Sequence, residues 1–143
     1  MKDLVAQIRK ELRHNLREHD SSSRIVVAAY LFGSHANAGA GKNSDLDLAF
    51  LLDEQAYKND PLATVSPAYL AATNLGMSLR KKTDVTILNA SSLEIAYEVL
   101  ITGICLWENN SEKRMEYEIA LRGMYFDFRP FLEKLRSSCV NNL

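Results

Sequence analysis

Residues Ile25 to Leu52 read I-V-V-A-A-Y-L-F-G-S-H-A-N-A-G-A-G-K-N-S-D-L-D-L-A-F-L-L. The first eight are β-branched, aromatic or small and apolar, and they predict a buried strand that ends at Gly33. Ser44 to Leu52 predicts a second strand carrying two acids in an otherwise apolar run. Side chains alternate along a strand, so Asp45 and Asp47 share one face while Leu46, Leu48, Phe50 and Leu52 take the other. Their Cα atoms then lie roughly 6–7 Å apart. Two carboxylates at ~4 Å repel by about 4 kcal/mol at an effective dielectric near 20, and a divalent cation reverses that sign. Hard oxygen donors of this kind suit magnesium, which in turn bridges substrate phosphates. The Gly33-Ser34 turn supplies the complementary half: glycine admits close approach of a ligand, and N–H groups beside a hydroxyl suit phosphate oxygens.

Composition narrows the classes. The chain has 143 residues, 47% hydrophobic and 24% charged, with a formal net charge of −1. That size predicts one domain spanning 1–143, with a helical segment from about 111 packing on it. The near-zero charge argues against direct nucleic-acid binding through bulk phosphate neutralisation. No apolar run approaches the ~20 residues of a membrane span, and the N-terminus lacks a signal-peptide core. Cys105 and Cys139 are too few for a disulfide framework or zinc site. The expectation is a cytoplasmic protein with no membrane partner.

Around the central stretch the pattern alternates between helices and strands. Leu4, Val5, Ile8, Leu12 and Leu16 fall at helical spacing within residues 3–18. Asp20 to Ser23 is a polar break, and residues 53–65, with their acids and Pro61, read as a loop. Ser66-Pro67 reads as an N-cap and first helical position, opening a helix to about Lys81. Lys82 to Leu88 reads as a strand. Ser91-Ser-Leu-Glu94 fits a capping box, and Gly103 suits the end of the helix it opens. A strand over Gly103–Glu108 and a last helix from about Ser111, with Pro130 kinking or ending it, complete an α/β fold: a small mixed sheet flanked by helices.

G-S-x10-D-x-D between two hydrophobic strands resembles the signature of the polymerase β-type nucleotidyltransferases. More closely, the chain is similar to the minimal nucleotidyltransferase (MNT) antitoxins of HEPN–MNT toxin–antitoxin pairs, from roughly Ile25 to Phe131. The resemblance implies a polymerase β-like core, and a third catalytic acid on a later strand at Asp84. It implies that Asp45, Asp47 and Asp84 hold Mg2+ beside a phosphate-binding turn at Gly33 and Ser34; Ser44 and Lys42, in the turn before the acids, are further candidate contacts to the nucleotide, ATP. It also implies transfer of AMP to a tyrosine of a HEPN ribonuclease toxin, which neutralises the toxin within a heteromeric complex. One departure stands out: His35 occupies the place where many relatives carry arginine. Histidine is only half-charged near its ordinary pKa of about 6.5, so phosphate grip there becomes pH-dependent.

Two other functions share these motifs. One is adenylylation of a small molecule such as an aminoglycoside, against which the short chain argues. The other is an antitoxin that works by binding alone. Asn43 beside Lys42, and the basic run Arg80-Lys81-Lys82, read mainly as solvated loop and helix-end residues. Tyr125, Phe126, Phe128 and Phe131 read as core or partner-interface packing.

Overall fold

The computed structural model describes residues 2–17, 24–33, 36 and 44–141. Helix α1 (Lys2–Arg17) leads into β1 (Val26–Phe32) and β2 (Leu46–Leu52). Then come α2 (Glu54–Asn59), α3 (Pro61–Leu79), β3 (Thr83–Ile87), a 3-10 turn (Leu88–Ala90), α4 (Leu93–Thr102), β4 (Ile104–Glu108) and α5 (Ser111–Asn141). The strands form one mixed sheet in the order β3-β2-β1-β4. β1 runs antiparallel to β2 and β4, while β2 and β3 are parallel, so their connection must cross over.

Both faces of the sheet are covered, which is why its central strands are almost wholly apolar. On one face Leu46, Leu48, Phe50 and Leu52 bury against Ile8, Leu12 and Leu16 of α1 and against Ala68, Ala71, Ala72 and Leu75 of α3. The alanine face of α3 lets the two helices approach, and Asn15–Asn74 (3.0 Å) and Glu11–Ser78 (3.1 Å) contacts join them. On the other face Val27, Tyr30, Ala49 and Leu51 meet Ala96 and Val99 of α4 and Leu121 of α5. Tyr30 donates to Glu118 at 2.8 Å, and Arg114 bridges Glu118 and Glu108, tying α5 to the sheet.

The segment 53–65 is not a loop. Asp53 caps α2 by accepting from the Ala56 N–H (3.1 Å), and Asp60 caps α3 by accepting from the Ala63 N–H (3.2 Å), with Pro61 in the first turn. The acids that read as loop markers are capping residues. Helix α3 therefore starts well before Ser66-Pro67, and Pro67 sits inside it. Its end comes at Leu79, with Arg80 as a left-handed cap. At α4 the cap is Ser92, accepting from the Ile95 N–H at 3.3 Å, while the Ser91 hydroxyl turns back to the Leu88 carbonyl. The expected box from Ser91 to Glu94 is thus displaced by one residue, although Gly103 does end the helix. Pro130 does not end α5, which continues to Asn141.

Asn89 secures the far end of β2. Its side chain accepts from the Leu52 N–H (2.8 Å) and donates to the Leu52 carbonyl (2.9 Å), replacing a strand partner. Nearby, Lys113 reaches Asp53 at 2.7 Å. The Lys113 ammonium and, after it, the Ala56 N–H hold the Asp53 carboxyl below its ordinary range. A carboxyl lowered in the folded state stabilises above its unfolded pKa of about 3.9 and loses that contribution as pH falls through the folded value. The Tm gap between the native chain and Asp53→Asn should therefore shrink as pH is lowered from about 6 towards 3. A gap independent of pH would assign the effect to helix capping alone.

Candidate active site

At one end of the sheet, β1 stops and β2 begins. Gly33 closes β1 with φ +72°, a left-handed conformation that glycine adopts without steric cost. The Ala36 N–H bonds back to the Gly33 carbonyl at 3.2 Å, turning the chain away from the strand. A Cβ on Gly33 would lie 3.0 Å from Cγ of Asp47 and still closer to its carboxylate oxygen. Glycine is required here twice, for the turn and for the space the Asp47 carboxylate occupies. In the antiparallel register, Asp47 lies opposite Phe32, the residue before this turn.

The parallel register sets Asp47 against Asp84. Neighbouring strands run about 4.8 Å apart, and in-register residues of a parallel pair share a face. Val85 and Ile87 pack on the α1/α3 side, so Asp84 and Thr86 take the opposite face, the one that also carries Asp47. Asp47 is half-buried and Asp84 exposed. Asp45 is exposed and lies just before β2 rather than inside it, because pairing begins at the bond from the Leu46 N–H to the Lys82 carbonyl, 2.9 Å long. Alternation within a strand thus places Asp47, while Asp45 sits on the chain entering it. Ser44, half-buried, adjoins it. Ser34, His35, Lys42 and Asn43 lie outside the described residues.

Among the described residues no group of three His, Cys, Asp or Glu side chains lies close enough to hold a metal ion. The donor chemistry at the site nonetheless matches magnesium, which takes one or two protein carboxylates and completes its shell with water and substrate phosphate. Asp47 and Asp84, in register and on one face, are the carboxylates that would provide that pair. Cavity size does not point to this place. An open cleft of about 600 Å³ runs along Lys10, Arg13, His14 and Arg17 of α1, a helix packed on the other sheet face. Its lining is a helix's solvated side, and the convergence of acids and glycine is the better guide.

The C-terminal aromatic residues divide. Tyr125 stacks on Tyr97, with ring centroids 3.6 Å apart, whereas Phe126, Phe128 and Phe131 are exposed. The contact between Gly33 and Asp47 was not legible in sequence, because it depends on the β1–β2 register. The roles of Asn89 and Tyr30 were missed for the same reason. Their partners lie 37 and 88 residues away.

Comparison with known proteins is consistent with this geometry. The family model described as Polymerase beta, Nucleotidyltransferase matches residues 10–112. No curated protein matches the chain. Among solved structures, a toxin–antitoxin with AMP-PNP is similar at 21% identity and TM-score 0.64, covering 94% of this chain and 96% of that one. The MntA–HepT toxin–antitoxin is similar at 21% identity and TM-score 0.57, over 94% and 95% of the two chains. So is the complex of tri-AMPylated Shewanella oneidensis HEPN toxin with MNT antitoxin, at 20% identity and TM-score 0.57, over 99% and 96%. Among the described residues no helix is long and apolar enough to cross a membrane.

Proposed function

We propose that this chain, which belongs to the polymerase beta nucleotidyltransferase family, is a magnesium-dependent protein adenylyltransferase. Its acceptor is a tyrosine hydroxyl of a HEPN-type toxin, and it acts as the cytoplasmic antitoxin of that pair. The single observation that carries the reading is the in-register pair Asp47 and Asp84 beside the glycine turn at Gly33.

In this reading the Gly33 turn, with Ser34, receives the leaving phosphates of ATP, and Lys42 and Ser44 add contacts to them. Asp45, Asp47 and Asp84 are the residues that would hold a magnesium ion here. The chemistry a bound magnesium supplies is neutralisation of charge on the phosphate oxygens. The incoming tyrosine oxygen forms a bond to the α-phosphorus as the α–β anhydride bond breaks, and pyrophosphate leaves. Asp84 orients that hydroxyl and accepts its proton.

The solved complexes of similar fold support ATP as donor, through AMP-PNP, and a protein as acceptor, through the AMPylated toxin. A partner also gives a purpose to the exposed stripe Met124, Phe128, Phe131 and Leu135 on α5, spaced to line one side of a helix. Incubation with labelled ATP, magnesium and the protein encoded beside this chain should add AMP to a tyrosine of that partner, read by mass spectrometry. An unlabelled partner would overturn the proposal, with label on an aminoglycoside favouring the small-molecule enzyme. Neutralisation surviving Asp45→Asn with Asp47→Asn would favour binding alone.

A further inference from the structure

Helix α5 is longer than the sheet it covers. Its 31 residues run roughly 46 Å, whereas β1 and β2, of 7 residues each, run roughly 24 Å. Leu121 is the last α5 residue buried in the core. Beyond it one side of the helix lies on α4, where Tyr125 stacks on Tyr97 and Arg136 reaches Glu94. Next to that side run Met124, Phe128, Phe131 and Leu135, each between 47% and 57% exposed. Their spacing of four, three and four residues is the repeat of a helix–helix seam. It prolongs, in phase, the spacing of Tyr117 and Leu121, which pack into the core.

Charge on this half of the helix carries the argument further. Arg129 pairs with Glu133, and Arg136 with Glu94. Asp127 and Lys134 are exposed and, among the described residues, enter no ion pair. Their own helix offers none. Three and four residues to either side of Asp127 stand Gly123, Met124, Pro130 and Phe131; around Lys134 stand Pro130, Phe131, Ser137 and Ser138. At about 100° per residue both charges fall on the flank of the apolar stripe that faces away from α4, roughly 10.5 Å apart along the axis.

We infer that the stripe is a self-recognition surface, on which α5 packs antiparallel against α5 of a second copy of this chain about a twofold axis. Such an axis requires a patch complementary to itself, and this one is. The antiparallel register that sets Phe128 against Phe131 of the second copy also sets Met124 against its Leu135. The same register brings Asp127 beside its Lys134, and symmetry repeats each contact. A parallel pairing would set Asp127 beside Leu132 and leave both charges without a partner. Four half-covered side chains and their flanks bury on the order of 1,000 Å² in total, the low end for a specific interface, so the dimer is weak and reversible. The toxin-type partner proposed above covers the stripe in a complex, and in the chain alone a second copy covers it.

Sedimentation equilibrium of the full chain, without nucleotide or partner, tests this. The native chain should pass from monomer to dimer across the micromolar range. Asp127→Lys and Lys134→Asp each turn two attractions into two repulsions, and each should weaken the dimer at least about tenfold. The double reversal should restore it to within about threefold, and so should an equimolar mixture of the two single variants, in which both contacts again join opposite charges. Phe131→Ser should stay monomeric throughout. Far-UV circular dichroism of every variant should match the native chain, because the altered side chains are exposed. A native chain that remains monomeric overturns the proposal and leaves the stripe to another protein. A dimer indifferent to the charge reversals, or one that the double reversal fails to restore, overturns it as well. None of these results bears on adenylyl transfer, which is read with labelled ATP and the partner protein.

Discussion

Asp47→Asn should lower single-turnover transfer from labelled ATP by at least about 10³-fold, some 4 kcal/mol of transition-state stabilisation. Asparagine keeps the shape that packs beside Gly33 and removes the negative charge facing Asp84 across the β2–β3 register. The loss therefore belongs to charge and metal affinity, and the fold should survive. A ligand that binds only the folded state raises Tm, so ATP with magnesium should raise the Tm of the native chain and leave that of Asp47→Asn nearly unmoved. Activity within tenfold of native, or an equal ligand-induced shift in both proteins, would remove Asp47 from the centre of the chemistry. A variant melting well below the native chain without ligand would show that the carboxylate also holds the fold.

The second large effect is expected at Gly33. Alanine there must adopt a left-handed backbone, at about 1–2 kcal/mol, and its methyl group meets the Asp47 carboxylate. Together these predict a loss near 2 kcal/mol, roughly 5–8 °C in Tm for a chain of this size. Transfer should fall by about 10²-fold, because the displaced carboxylate no longer holds its reactive geometry. A double-mutant cycle separates the causes. In an Asp47→Ala background the collision is gone, so Gly33→Ala should cost only its backbone part. Strictly additive losses in stability would place the whole effect in the turn and leave the contact without consequence.

The central hairpin was legible because its signals are local. A strand-forming run, a glycine and a second apolar run carrying acids were enough to place Gly33 and Asp47. The alternation that sends Leu46, Leu48, Phe50 and Leu52 into the α1/α3 face follows from the same run. The helical spacing of Ile8, Leu12 and Leu16 was equally direct, and all three are buried. Segment 53–65 failed because acids mark both loops and helix caps. Only the hydrogen bonds from Ala56 and Ala63 decide between them. Pro67 misled for a related reason: an earlier proline, Pro61, already opens the helix, and the second is carried inside it. Pairing of Asp47 with Asp84 was suggested by family likeness and not by spacing, since register across a crossover is a property of packing. The left-handed Arg80 gave no signal at all, because arginine is an unremarkable residue near a helix end.

One feature of the sheet bears on when the molecule becomes active. β1 and β2 are antiparallel and follow one another in the chain, whereas β2 and β3 are parallel and joined through α2 and α3. Long-range pairing of that kind must pay loop-closure entropy before any contact returns it. The glycine turn and the first two acids can thus form early in folding, while Asp84 arrives only after the crossover docks. β3 is also short and lies at the rim of the sheet, where strands open most readily. On the function proposed above, the site is complete only once β3 has docked, and opening of that edge strand would dismantle it while the core stays packed.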